Sequence, residues 1–330
     1  MKTLTKRAAL FAATMSFFFA TSAITPGFAA PVEVDTIEMA VNSAPVGIVF
    51  SPNGKKAYIA NDENDTVSVV TVATNTESSV ITLPADSEPY AIALSPNGKK
   101  AYTANNDTAS VSVITLSTRS VSTIGLPVGS APYGIAVSPN GKKVFVANDR
   151  GDTVSVITVA TGEVSTIDFP SGSRPESVAF SRNGKKAYVA NYGNDTVSVI
   201  TVATGAVSTI NLTNGSGPTS LALSPNGKKL YTANYDNDTV SVINLGNGSI
   251  VTINLIAGSE PGAIAVSPNG KKVLVANSGN HTVSEIILAT NSVTSLSLPT
   301  GAMPYSVAFA PNGKKAYVGN NGNDTVSVIR

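Results

Sequence analysis

The sequence predicts an all-β fold, a seven-bladed β-propeller of four-stranded antiparallel blades, and three observations lead to it. The phrase Ser51-Pro52-Asn53-Gly54-Lys55-Lys56 recurs along the chain, its glycine returning at Gly98, Gly141, Gly184, Gly227, Gly270 and Gly313, a first step of 44 residues and then five of 43. Between these phrases apolar and polar residues alternate with period two, rich in β-branched side chains and interrupted by turn residues. The seventh copy runs out after a third strand, while an unclaimed strand-like segment precedes the first copy.

Residues 1–30 differ from everything that follows. Lys2, Lys6 and Arg7 lead into an apolar stretch from Ala8 to about Ala20 and then Gly27-Phe28-Ala29-Ala30, the pattern of a secretory signal peptide cut after Ala29 or Ala30. The expected domain organisation is therefore a signal peptide over 1–30 and a single propeller over 31–330. The destination is outside the cytoplasm: extracellular, at the cell surface or periplasmic. No later stretch has the roughly 18 apolar residues of a membrane-spanning helix. Removal of three basic residues takes the formal net charge from +1 to −2, so bulk attraction to nucleic acid is not expected. The chain has no cysteine, which excludes disulfides, thiolate metal sites and a cysteine nucleophile.

Within a copy four short strands fit, in the fourth approximately Ser177 to Ser181, Lys186 to Asn191, Thr196 to Thr201 and Val207 to Leu212. Asn-Gly between the first two signals a tight hairpin, both residues tolerating positive φ, and Ala203-Thr204-Gly205 marks the third turn. The first copy is one residue longer near Asn75 to Ser79, an insertion expected in a turn. Val34 to Met39 matches the fourth strands of other copies and is expected to complete the last blade, closing the ring and leaving no open blade edge.

The tetrapeptides Tyr188-Val189-Ala190-Asn191, Tyr58-Ile59-Ala60-Asn61, Tyr102-Thr103-Ala104-Asn105 and Tyr231-Thr232-Ala233-Asn234, together with the Ser-Pro-Asn-Gly-Lys turn and the Thr-Val-Ser-Val-Ile strand, resemble the YVTN β-propeller repeats of archaeal surface-layer and secreted bacterial proteins. The resemblance covers about residues 33 to 330. It implies the propeller fold and is compatible with structural proteins, binders and enzymes alike.

Strand alternation sorts the loops onto two faces of the disc. The Asn-Gly-Lys-Lys turns share one face with the third turns, and the Asn-rich second turns share the other with the proline-containing lead-in to each blade. The first face collects the repeat lysines, Lys142, Lys143, Lys185, Lys186, Lys228 and Lys229 among them, and the second collects aspartates and glutamates. Two readings of the lysines stand: they guard strand ends against stray pairing, or the face docks on an anionic cell-surface polymer. Sequence-specific nucleic-acid reading is not expected, because nothing here resembles a groove reader, and aromatic residues are not interleaved with the lysines as single-strand stacking would require.

Ligand chemistry is expected where the copies differ. The residue after the lead-in proline runs Val46, Tyr90, Tyr133, Glu176, Thr219, Gly262, Tyr305, and the residue before it runs Ala44, Glu88, Ala131, Arg174, Gly217, Glu260, Met303. All fourteen are expected to ring the mouth of the central channel. Glu88, Tyr90, Tyr133, Arg174, Glu176, Glu260 and Tyr305 would then offer a small polar ligand its contacts, or a hard cation, calcium or magnesium, its oxygen ligands. No cofactor is firmly implied, and the metal is unknown. The one histidine, His281, stands where other copies carry aspartate and reads as a turn variant. Arg150-Gly151-Asp152 spells an adhesion tripeptide on a turn. The expected function is an exported, non-catalytic binding or interaction scaffold with a protein or anionic polymer as partner. The alternative is a propeller enzyme of lactonase or lyase type, using carboxylates and a divalent cation at the mouth.

Overall fold

A computed structural model describes residues 34–330; the expected signal peptide lies outside them. They form seven four-stranded antiparallel sheets. Six blades are continuous in sequence, spanning 45–82, 89–125, 132–168, 175–211, 218–254 and 261–297. The seventh combines Pro304–Phe309, Ala316–Asn320 and Thr325–Ile329 with Val34–Glu38. That strand pairs antiparallel with Thr325–Ile329 from Val34↔Ile329 to Glu38↔Thr325. Arg330 and Asp35 form an ion pair beside it, and Met39 N–H donates to Asp324 O at 3.0 Å. The ring closes as expected.

The core lies between blades rather than within one. Seven apolar clusters each join two neighbouring blades; one of them packs Ile59 and Val70 of blade 1 against Tyr317, Val326 and Val328 of blade 7. The second and third strands of each blade therefore lose solvent on both faces, as in Lys186–Asn191, where all but the lysine are buried. Fourth strands such as Val207–Asn211 remain largely exposed. A buried asparagine ends each second strand and holds the following turn: Asn191 Nδ2 donates to Thr196 Oγ1 at 2.9 Å and Ser198 Oγ at 2.8 Å.

Two sequence expectations shift in detail. The Asn-Gly turn is not a two-residue hairpin. Ser51 N–H donates to Lys56 O, Lys56 N–H donates to Ser51 Oγ, and Ser51 Oγ donates to Asn53 Oδ1, so four residues form the loop. Only the glycine is left-handed, Gly54 at φ 67°. The extra residue of blade 1 sits in a strand rather than in a turn. Val69 pairs with Ser79 and Val70 with Glu77, leaving Ser78 as a bulge whose Oγ donates to Val69 O at 2.8 Å. A bulge absorbs one residue without reversing the faces of the strand beyond it.

No helix of the described residues is long and apolar enough to cross a membrane.

Candidate active site at the channel mouth

In every blade the pairing of the first two strands skips one residue directly after the lead-in proline. Pro175 pairs with Asn191 and Ser177 with Ala190, leaving Glu176 between them; Val46, Tyr90, Tyr133, Thr219, Gly262 and Tyr305 are skipped in the same way. A bulged residue is released from the ladder and re-aimed. All seven line one central cavity of about 220 Å³. Ile48, Ile92, Ile135 and Val178 contribute apolar walls to the same cavity.

Blades 2, 3 and 7 fill one sector of the mouth with rings. Tyr90 and Tyr133 lie with centroids 4.2 Å apart, and Tyr305 meets Tyr90 edge-on at 6.2 Å and 81°. Blade 4 contributes Glu176, only 7% exposed. Gly134 makes its approach possible. A Cβ at that position would stand 2.4 Å from Glu176 O and 2.9 Å from Ser177 Cα, so only glycine lets the inner strands of blades 3 and 4 come this close.

Burial controls the titration of these groups. Glu176 is pushed up to about 8, chiefly by loss of water and further by the charges of Asp149 and Asp236, with Arg174 pulling the other way. Burial also raises the Tyr90 and Tyr133 hydroxyls, which stay protonated as hydrogen-bond donors. Among the described residues Glu176 has no ion-pair partner within the mouth, since Arg174 is engaged by Asp149 at 3.0 Å.

The other half of the expected ring is placed differently. Ala44, Glu88, Ala131, Arg174, Gly217, Glu260 and Met303 all adopt a left-handed backbone, φ between 45° and 52°, and none of them lines the cavity. Glu88, Arg174 and Glu260 are thus corrected from channel residues to rim residues. The cause is backbone wiring. The second-turn aspartate of the preceding blade accepts the N–H of that residue and of the residue two before it: Asp152 Oδ1 takes Arg174 N and Oδ2 takes Gly172 N, both at 2.8 Å. Asp65, Asp195, Asp238 and Asp324 repeat the clamp. His281 substitutes with one acceptor, its Nδ1 taking Met303 N–H at 3.0 Å, as its reading as a turn variant implied. In Arg150-Gly151-Asp152 the same wiring places one backbone N–H on each oxygen of Asp152, giving that carboxylate a structural role.

The sequence reading missed the residue that follows each buried asparagine: Asp62, Asn106, Asp149, Tyr192, Tyr235, Ser278 and Asn321. Tyr235 and Ser278 line the cavity. Tyr235 Oη donates to Glu260 Oε2 at 3.0 Å, which with burial pushes its own hydroxyl up to about 12. Tyr192 Oη donates to Asp236 Oδ1 at 3.0 Å while Arg174 lies 4.7 Å over its ring. Asp62 is held up at about 6 by burial and by Glu88, Glu63 and Asp65. This position also varies among copies, with four residue types in seven, and that variation was the available clue.

Of the three glutamates expected to share a cation, only Glu176 enters the cavity. Among the described residues no three Asp, Glu or His side chains gather to hold a metal ion. Glu176 is the one carboxylate lining the cavity, and the other side-chain oxygens there are serine, threonine and tyrosine hydroxyls. On the opposite face Lys142, Lys185, Lys186, Lys228 and Lys229 are exposed and Lys143 is partly so.

The sequence model of the virginiamycin B lyase family matches residues 32–328. No curated protein sequence matches the chain. Among solved structures, a streptogramin B lyase superposes with a TM-score of 0.82 at 19% identity over 91% of this chain and 97% of that one. A catalytically inactive histidine-to-alanine virginiamycin B lyase from Staphylococcus aureus with quinupristin gives 0.81 at 19% identity, over 90% and 99%. Kuenenia stuttgartiensis hydrazine synthase gives 0.78 at 24% identity, over 88% and 97%. At these identities the superpositions establish the fold. The family match overturns the expectation of a non-catalytic scaffold and favours the enzyme alternative, whose chemistry was hidden because so few positions in each copy carry it. Along nearly all of its described length, the chain belongs to the virginiamycin B lyase family.

Proposed function

We propose that the chain is an exported propeller enzyme of the lyase class, with the channel mouth as its active site and Glu176 as its general base. The observation that supports this is a lone carboxyl, buried in the one cavity where all seven blades converge and raised to about 8. A lyase must take a proton from carbon and release a leaving group without water. A base with a pKa near the working pH suits the first task, since it is both available and strong enough. The protonated hydroxyls of Tyr90 and Tyr133 lie in the same cavity and suit the second, donating to the oxygen on which negative charge develops.

In the Staphylococcus aureus relative, replacing a histidine abolishes catalysis. Here the only histidine, His281, spends its Nδ1 on a backbone N–H. Proton transfer in this chain is therefore assigned to the buried Glu176 carboxyl, the one acidic side chain lining the cavity.

The test is a panel of cyclic and acyclic esters, quinupristin among them, followed by mass spectrometry with wild type and Glu176→Gln. Elimination conserves the substrate mass summed over products, whereas hydrolysis adds one water. Turnover without added water, lost by at least about a hundredfold in Glu176→Gln, is expected. Equal turnover in the variant, or addition of water, would overturn the assignment.

A further inference from the structure

We infer that the mouth binds an organic cation, an alkylammonium head seated against Tyr90, Tyr133 and Tyr305 with Glu176 as its counter-charge. This rests on the reading of the mouth as the active site and names the class of ligand it takes.

Four observations carry it. Three tyrosine rings from blades 2, 3 and 7 pack on one another, and all three line the cavity. Ring quadrupoles attract cations, most strongly where water is excluded. No lysine or arginine lines the cavity, and its only charged lining residue is Glu176. The surrounding rim is acidic: Asp62, Glu88, Asp149, Asp236 and Glu260 outnumber Arg174, whose guanidinium is already held by Asp149. The rim carries a cation on an aromatic face of its own, Arg174 lying 4.7 Å over Tyr192 outside the cavity.

The walls decide between an organic and a metal cation. A hard metal ion favours several charged or carbonyl oxygens, and the cavity offers one carboxylate, with the remaining side-chain oxygens being serine, threonine and tyrosine hydroxyls between rings and aliphatic walls. Methyl groups on nitrogen, by contrast, gain from exactly such apolar walls. A cavity of about 220 Å³ admits a head of that size without its hydration shell.

Binding is coupled to a proton. Facing Glu176 are the carboxylates of Asp149 and Asp236, the Arg174 guanidinium and the Tyr133 hydroxyl. The two acids favour the protonated form of Glu176, so an arriving cation must expel that proton. Affinity then increases as pH rises toward 9, and the ligand itself arms the base.

The experiment compares choline chloride with its neutral isostere 3,3-dimethylbutan-1-ol by calorimetry at pH 7 and pH 9, at constant ionic strength set with sodium chloride. Choline is expected to bind about tenfold more tightly than the alcohol. That ratio should collapse toward one in Tyr133→Leu and in Tyr305→Leu; either variant keeps the test alive should the other not fold. The gain in choline affinity between pH 7 and pH 9 should disappear in Glu176→Gln. Equal binding of the two probes, binding indifferent to both tyrosine changes, or no binding of either probe would overturn the inference. Because binding needs no turnover, the two readings separate. Loss of turnover in Glu176→Gln with no choline binding would sink the cation site and spare the base; choline binding with full turnover in that variant would do the reverse.

Discussion

On the lysine face the turns are wired alike. In six blades a serine hydroxyl accepts the N–H of the second lysine, and in all seven an asparagine oxygen accepts that of the first. On the mouth face the backbone clamp also repeats, but the residues it holds out differ from blade to blade: valine, three tyrosines, glutamate, threonine and glycine after the proline. Repetition marks what builds a blade, and divergence marks what meets a ligand.

The largest expected effect falls where a mouth position has no freedom. Gly134→Ala puts a methyl group into the backbone of blade 4 and should destabilise by about 3 kcal/mol or more, seen as a lower Tm. On the lysine face, Gly54→Ala has left-handed φ but its nearest neighbour is a proline ring carbon at 3.5 Å, so a loss of only about 1 kcal/mol is expected. Equal losses would erase the contrast between the faces.

Glu176→Gln sharpens the comparison through pH. Because the folded state holds a proton that the unfolded chain gives up near its ordinary value of 4.5, wild type should lose stability progressively as pH rises from there through about 8. The amide cannot ionise, so the variant should be the more stable protein at pH 9, by an amount on the order of a few kcal/mol, and no more stable at pH 4. Denaturant titrations at the two pH values measure it.

Much of this was legible beforehand, and what was not has a physical reason. The repeat spacing and the unclaimed segment Val34 to Met39 located the blades and the closure, because strand period and turn residues are local properties. The seven residues after the proline were found by their variation. Glu88, Arg174 and Glu260 vary too, yet they miss the cavity, because a left-handed backbone held by an aspartate some twenty residues away is not visible in local pattern. Tyr235 was passed over because the asparagine-rich turn around it looked like simple turn chemistry.

Smaller effects test the clamp. Asp152→Ala removes the acceptor for two backbone N–H groups and should cost about 1–3 kcal/mol, measured by urea unfolding. His281→Asp should gain about 1 kcal/mol by adding a second acceptor, as Asp65, Asp152, Asp195, Asp238 and Asp324 provide in their copies. Smallest is Ala310→Ser, which restores the one missing hydroxyl of the lysine-face turns and should stabilise by about 1 kcal/mol or less.

Closure by the first strand also sets an order in time. Asn42 and Ala44 are clamped by Asp324, 282 and 280 residues further along the chain, so the lead-in to blade 1 waits for the last second turn to be made. Until then Thr325–Ile329 has no partner on one side, and a half-built ring exposes two blade faces that are dry in the finished one. Contacts this distant in sequence form slowly. The seventh blade is therefore expected to lock last, once both ends of the chain are in place.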